Sequence, residues 1–266
     1  MTKDSRSIPS LSALKAGCIR LNKAIAATGF CSRRKADEYI FSGRVIVNNN
    51  VETNPARNVN PTYDILFVDG HKLEPQRQFT YVLLNKPVQV VCTLSDPQGR
   101  QTILDLLPEQ YRHIGVYPVG RLDYFSEGLL LLTNDGQLAQ RLMHPRHHQK
   151  KIYDVLVRGY VSMQKLQTMR NGMRLAEGED VAPIDVDAVH LPSGDTRLRM
   201  VLRQGVNRQI RRMCRDLDLT ILRLRRVAQG MLRLGSLSSG EIRQLTSKEK
   251  NLLLKSVGLV ASFSSS

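Results

Sequence analysis

Residues 129–132 of this 266-residue chain are four consecutive leucines, preceded by Ser126-Glu127-Gly128 and followed by Thr133-Asn134-Asp135-Gly136. The run falls far short of the ~18 apolar residues that a membrane-spanning helix needs, and the chain contains none longer. A short apolar run between turn residues reads as a buried strand, and Asn-Asp-Gly is a turn that can start a helix. Further strand patterns fall at 81–84, 89–94, 152–157, 185–191, 197–202, 220–224 and 231–234. Helical patterns fall at 137–143, at 162–171 ending on Gly172, and at 206–216. Thr246-Ser247-Lys248-Glu249 has capping-box spacing ahead of a last helix that ends near Gly258. Strands outnumber helices and are not separated by regular helices. That favours a mixed, largely antiparallel sheet over a Rossmann-type arrangement.

A smaller pattern precedes this sheet. Ile19, Leu21, Ile25 and Ala26 fit one face of a helix that stops at Gly29. Ser32 suits the N-cap of a second helix with Ala36, Tyr39 and Ile40 on its apolar side, and Gly43 suits its C-terminal cap. Strands follow at 44–48 and 64–68, with a polar turn at Asn49-Asn50 and a tight turn at Asp69-Gly70. The polar stretch 74–78 suggests a boundary. The expected class is α+β: a tail over 1–18, a small αβ module over 19–78, a mixed-sheet domain over 79–258 and a frayed end over 259–266. At ~150 residues per domain the length agrees.

Charge narrows the partners. Lys and Arg number 39 against 24 Asp and Glu, giving +15 and a pI near 10.0. Such an excess predicts attraction to polyanions, with a basic solvated surface as the plainer alternative. Apolar residues at 41% exclude wholesale disorder. Residues 1–15 lack the apolar core of a secretion signal, and Cys18, Cys31, Cys92 and Cys214 form no CxxC pair. The expected compartment is a reducing cytoplasm. No P-loop, GxGxxG or HExxH appears, and His144, His147 and His148 lack a matched acid or Cys, so no metal site is read.

Three segments could carry chemistry. Asp123, in Gly120-Arg121-Leu122-Asp123, lies in a loop just before the leucine strand, held by the scaffold yet reachable. Position alone leaves two readings open: a reactive carboxylate, or one that pairs with Arg121 or caps a turn. Between Gly205 and Arg233 the chain has eight Arg, no Lys and two Asp. In a helix, Arg208, Arg211, Arg212 and Arg215 share one face, and Arg without Lys favours bidentate recognition of phosphate or carboxylate. A solvated basic face is the alternative. Lys151 and Tyr153 alternate on a strand, which sets a cation beside a ring, although a lone strand Tyr is more often a core-edge residue.

Together these segments resemble the RsuA-like family of ribosomal RNA pseudouridine synthases. Leu84-Asn85-Lys86-Pro87, Asp96-Pro97-Gln98-Gly99-Arg100, Pro118 to Asp123, Glu127 to Gly136 and Arg208 to Met213 carry the likeness in order. Arg20-Leu21-Asn22-Lys23, Ser32 to Ala36 and Gly43-Arg44-Val45 resemble the small RNA-binding domain of the ribosomal-protein-S4 type. The likeness spans about residues 19–250. It implies a stand-alone enzyme that isomerises a uridine in ribosomal RNA, with no metal or organic cofactor, no membrane and no required protein partner. A precursor ribosomal subunit is the expected setting. Asp123 falls on the family's essential aspartate, Arg211 on the basic residue that pairs with it, and Tyr153 on the tyrosine that stacks on the base. A guanidinium beside a dry carboxylate favours its charged form, which gives Arg211 a reason to be there. The RNA contacts expected are Arg20, Lys23, Ser32, Arg33, Arg34, Lys35 and Arg44 in the first module. In the second they are Lys86, Arg121, Arg208, Gln209 and Arg212. Two positions depart from the family: Gln89 stands where Gly is usual, and Phe125 where a polar residue is more frequent. The competing reading is a non-catalytic RNA-binding assembly protein on the same scaffold.

Overall fold

The computed structural model describes residues 17–74, 78–144, 146 and 149–259. The tail and the frayed end read from the sequence therefore fall almost wholly outside the described residues, as do His147, His148 and the middle of the polar stretch 74–78. The chain divides into two compact units between Phe79 and Thr80.

The first unit contains β1 (Ile19–Arg20), α1 (Leu21–Ala27), α2 (Arg33–Phe41), β2 (Val45–Val47), β3 (Asn50–Val51), β4 (Asn58–Val59), β5 (Leu66–Val68) and β6 (His71–Lys72). Ile19 is thus not the first residue of a helix; it pairs with Val59 in a short antiparallel bridge of β1 and β4. Ser32 Oγ accepts from the Lys35 N–H at 3.2 Å and starts α2. The helix ends in a Schellman arrangement, with Gly43 N–H on Ile40 O and Arg44 N–H on Tyr39 O, both 3.0 Å. The hairpin turns sit at Asn48-Asn49 and Asp69-Gly70, all four residues at positive φ, as type I′ turns require. Leu21, Ile25, Ile40, Val45, Val47 and Val68 form the centre of its core.

The second unit contains β7 (Tyr81–Lys86), α3 (Glu109–His113), β8 (Tyr117–Pro118), β9 (Glu127–Thr133), α4 (Gly136–Met143), β10 (Lys151–Val157) and α5 (Met163–Asn171). It continues through β11 (Met173–Arg174), β12 (Asp180–Val181), β13 (Asp185–His190), β14 (Thr196–Leu202), α6 (Gln209–Asp216), β15 (Ile221–Gln229), β16 (Leu232–Arg233), β17 (Ile242–Gln244) and α7 (Ser247–Ser256). A nine-stranded sheet runs β13-β14-β10-β15-β9-β7-β17, with β16 on β15 and β8 on β9. Every pairing is antiparallel except β9 with β15. The mixed, mainly antiparallel sheet is as the sequence predicts.

The leucine run is the middle of β9. Period-two alternation sends Leu129 and Leu131 into the cluster with Leu138, Leu142, Leu253 and Leu254 from α4 and α7. Leu130 and Leu132 enter the opposite cluster with Val90, Ile103, Leu107 and Leu122. A strand covered on both faces needs no polar alternation, which is why the sequence shows an unbroken run. Gly128, at φ +105°, is where β9 and β15 touch: a Cβ there would lie 2.8 Å from Arg226 N and against its carbonyl oxygen. Only glycine allows the one parallel pairing of the sheet.

The strand predicted at 89–94 does not form. Gln89 adopts φ +63° and turns the chain right after β7, leaving one bridge between Val91 and Thr102. The strand predicted at 220–224 runs on to Gln229, and the one at 231–234 shrinks to two residues. The helix predicted at 206–216 starts only at Gln209.

Candidate active site

Asp123 occupies the loop between β8 and β9, and six contacts fix that loop. Arg226 reaches the Arg121 carbonyl at 3.5 Å. The Leu122 N–H donates to Cys92 Sγ at 3.3 Å. The Gln89 N–H donates to Tyr124 O at 2.7 Å, and the Ser126 N–H to Asp123 O at 3.0 Å. Arg211 Nη2 donates to Phe125 O at 2.6 Å and to Ser126 Oγ at 3.2 Å. None of these uses the Asp123 carboxylate, which is left free to act. A group held this way costs little further ordering when a substrate arrives.

Arg211 projects from α6 with Nε 3.8 Å from Asp123 Oδ2. That is near enough for attraction but too far for a hydrogen bond, and Nε has no hydrogen-bond partner. Burial pushes the Arg211 guanidinium down from its ordinary value and Asp123 opposes the shift. A guanidinium stays charged regardless.

Tyr153 stands on β10 directly opposite Arg226 of β15. Asp123, Tyr153 and Arg211 line one cleft of about 300 Å³, together with Lys151, Arg226 and Gln229. The sequence-predicted trio is thereby brought together. Burial, and secondarily Arg226, pushes the Lys151 amine down.

The RNA contacts predicted in this unit divide. Arg121 and Arg208 are exposed on the cleft. Arg208 does not belong to the helix: it is the N-cap of α6 at φ +50°. The four-Arg face is therefore three residues long and largely neutralised. Arg212 pairs with Glu179 at 2.7 Å and Glu177 at 3.1 Å, and Arg215 pairs with Glu177 and Asp216, both at 2.7 Å. A groove of about 780 Å³ bordered by these groups adjoins the cleft and shares Asn207, Arg208 and Arg211 with it.

Lys86 corrects a second expectation. It is fully buried, and its Nζ donates to Pro87 O at 2.7 Å and Val90 O at 2.8 Å. Burial pushes its amine down to about 8, against the pull of Cys92, Asp123 and Glu127. It ties the turn after β7 from inside and is no surface contact for RNA. Gln209 is likewise buried, on the inner side of α6.

Sequence reasoning missed Arg226, whose Nε donates to Leu129 O at 2.8 Å. Its signal was weak, since a strand arginine reads as outward-facing until the register is known. The Gln89 departure acquires a physical meaning: φ +63° is a conformation glycine adopts without strain. Gln89→Gly is expected to raise stability by ~0.5–1 kcal/mol, because relief of left-handed strain outweighs the added freedom of the unfolded chain. Urea unfolding would show it as a higher midpoint at unchanged slope.

In the first unit, Arg20 and Arg34 are exposed and Lys23 half-buried. Ser32 caps α2, and Arg33 Nη2 lies 3.4 Å from Asn22 Oδ1. Lys35 pairs with Glu38 at 2.6 Å. Arg44 donates to Asp69 at 2.6 Å and lies over the Tyr39 ring at 4.5 Å.

Comparison with known proteins gives a consistent picture. A family model described as RNA pseudouridylate synthase matches residues 80–216, and an S4 domain model matches residues 19–65. An uncharacterized RNA pseudouridine synthase of Aquifex aeolicus is 40% identical over 245 residues, 91% of this chain and 96% of that protein. The ribosomal large subunit pseudouridine synthase B of Bacillus subtilis is 38% identical over 232 residues, 86% of this chain and 93% of that protein. A crystal structure of a pseudouridylate synthase aligns with TM-score 0.63 at 27% identity, covering 88% of this chain and 99% of that one.

Proposed function

The chain belongs to the RNA pseudouridylate synthase family, as an RsuA-type isomerase acting on RNA, and from that premise we propose that it converts a specific uridine of ribosomal RNA to pseudouridine with Asp123 as the reacting carboxylate. The single observation that carries this reading is that the Asp123–Arg211 pair and Tyr153 line one cleft.

The reaction rearranges atoms without adding any. The bond from N1 to C1′ of the ribose breaks, the base turns, C5 bonds to C1′, the C5 proton leaves to solvent and N1 takes one up, so the product is an isomer of the substrate. A carboxylate starts this either as nucleophile on C1′ or as base forming a glycal; both need Asp123 charged. Arg211, with Nε 3.8 Å from Asp123 Oδ2, sets the opposite charge beside it. Tyr153 offers a flat face to hold the detached base, and suits the later proton removal at C5. The uridine must leave its stack to enter, which costs a few kcal/mol and least in unpaired segments. Arg121 and Arg208, exposed on the cleft, would take the flanking phosphates, and the first unit's exposed Arg20 and Arg34, with the half-buried Lys23, would bind RNA.

We take the substrate to be ribosomal RNA in a precursor subunit in the cytoplasm. Large-subunit RNA is the first place to look, since the Bacillus subtilis relative is named for it. Deleting the gene and mapping pseudouridine across ribosomal RNA is expected to remove at least one site, restored by the wild-type gene. An unchanged map would overturn the proposal.

A further inference from the structure

Strict alternation along β15 would send Arg226 and Gln229, three residues apart, to opposite faces of the sheet. A register shift in the β10–β15 pairing, between Ile152 and Tyr153, prevents this. It sets Arg226 opposite Tyr153 and Gln229 opposite Lys151, and all four line the cleft. Arg226 is 2% and Gln229 6% exposed. Each keeps one polar atom with no hydrogen-bond partner among the described residues: Arg226 Nη2, a donor, and Gln229 Oε1, an acceptor. Gln209 Oε1, 4% exposed at the start of α6, is a third such atom on the same cleft. Buried polar groups in native proteins are almost always satisfied, so these three, together with the unpartnered Arg211 Nε on the same cleft, call for a polar ligand.

We infer that Arg226 and Gln229 read the hydrogen-bonding edge of the target base, Gln229 Oε1 accepting the uracil N3–H and Arg226 Nη2 donating to O4. This rests on the cleft being the uridine site. Uracil presents a donor at N3 and an acceptor at O4, whereas cytosine presents an acceptor at N3 and an amino group at C4. A guanidinium has donors only, so a cytosine would meet Arg226 donor to donor. Gln229 would then have to turn its amide over, and Arg226 cannot follow. Tyr153, across from Arg226, keeps its ring for stacking. The pair therefore acts on specificity, distinct from the chemistry at Asp123.

The test uses the full-length enzyme and a synthetic RNA hairpin built around the uridine that the mapping experiment identifies. The target carries either uridine or N3-methyluridine. Wild type is expected to favour uridine at least ~100-fold in kcat/KM, since a site built to pair with a group rejects the analogue lacking it. Gln229→Leu is expected to slow the uridine substrate ~10- to 100-fold and leave the N3-methyl substrate unchanged, so the preference collapses. Its melting temperature should not fall, because the substitution removes an unsatisfied buried atom. Gln229→Glu keeps an acceptor and should keep the preference. Three results would overturn the inference: wild-type indifference to the methyl group, wild-type preference retained in Gln229→Leu, or preference lost equally in Gln229→Glu. A wild-type enzyme that makes no pseudouridine in any RNA would instead remove the reading of the cleft on which the inference stands.

Discussion

Asp123→Asn is expected to lower pseudouridine formation by at least ~10⁴-fold while RNA affinity is retained. The magnitude is that of removing a reacting group whose role no neighbour can assume. Asparagine has nearly the same shape, and the loop at 121–126 is held by contacts that do not involve the Asp123 carboxylate. What disappears is the charge, which both routes to glycosidic cleavage require. Tritium release from RNA labelled at uracil C5 measures the chemistry, and filter binding at fixed salt measures the affinity. Turnover near wild type would place the reacting carboxylate elsewhere. Lost affinity with intact turnover would make Asp123 an RNA-positioning group.

The parts of this fold that could be read in advance are those governed by local rules. The leucine run of β9, the Ser32 cap, the Asp69-Gly70 turn and the Thr246/Glu249 capping box each follow from a few neighbouring residues. Residues 89–94 failed because Gln89 at positive φ breaks a strand that composition alone favours. The Arg-rich helix failed for a tertiary reason. Helical spacing said nothing of Glu177 and Glu179, which sit some thirty residues upstream and neutralise Arg212 and Arg215. Lys86 looked like a surface cation because lysines usually are, and only the folded turn supplies the carbonyls of Pro87 and Val90 that let it be buried. Asp123, Tyr153 and Arg211 were legible through motif resemblance, and the structure brings their side chains to one cleft. Arg226 and Gln229 were not, because their common face depends on a bulge that strand periodicity cannot reveal.

Arg211→Met is expected to reduce kcat/KM by ~10³-fold, equivalent to about 4 kcal/mol, with most of the loss in kcat. Two separate effects add. The guanidinium faces the Asp123 carboxylate at 3.8 Å, and because that carboxylate is about a third exposed, solvent screening keeps the loss from the broken pair below the ~3–5 kcal/mol of a fully buried one. The same side chain holds Phe125 O and Ser126 Oγ, so its removal also loosens the turn that carries Asp123. Arg211→Lys should recover little. An ammonium on a flexible stem cannot donate to both loop oxygens while facing the carboxylate, as the planar fork does. The distribution of the loss between kcat and KM decides the role. An arginine that only grips phosphate would raise KM, leave kcat intact and lower the salt dependence of binding by about one counterion. Arg211 faces a carboxylate and two loop oxygens, so kcat should carry the effect and the salt slope should hold.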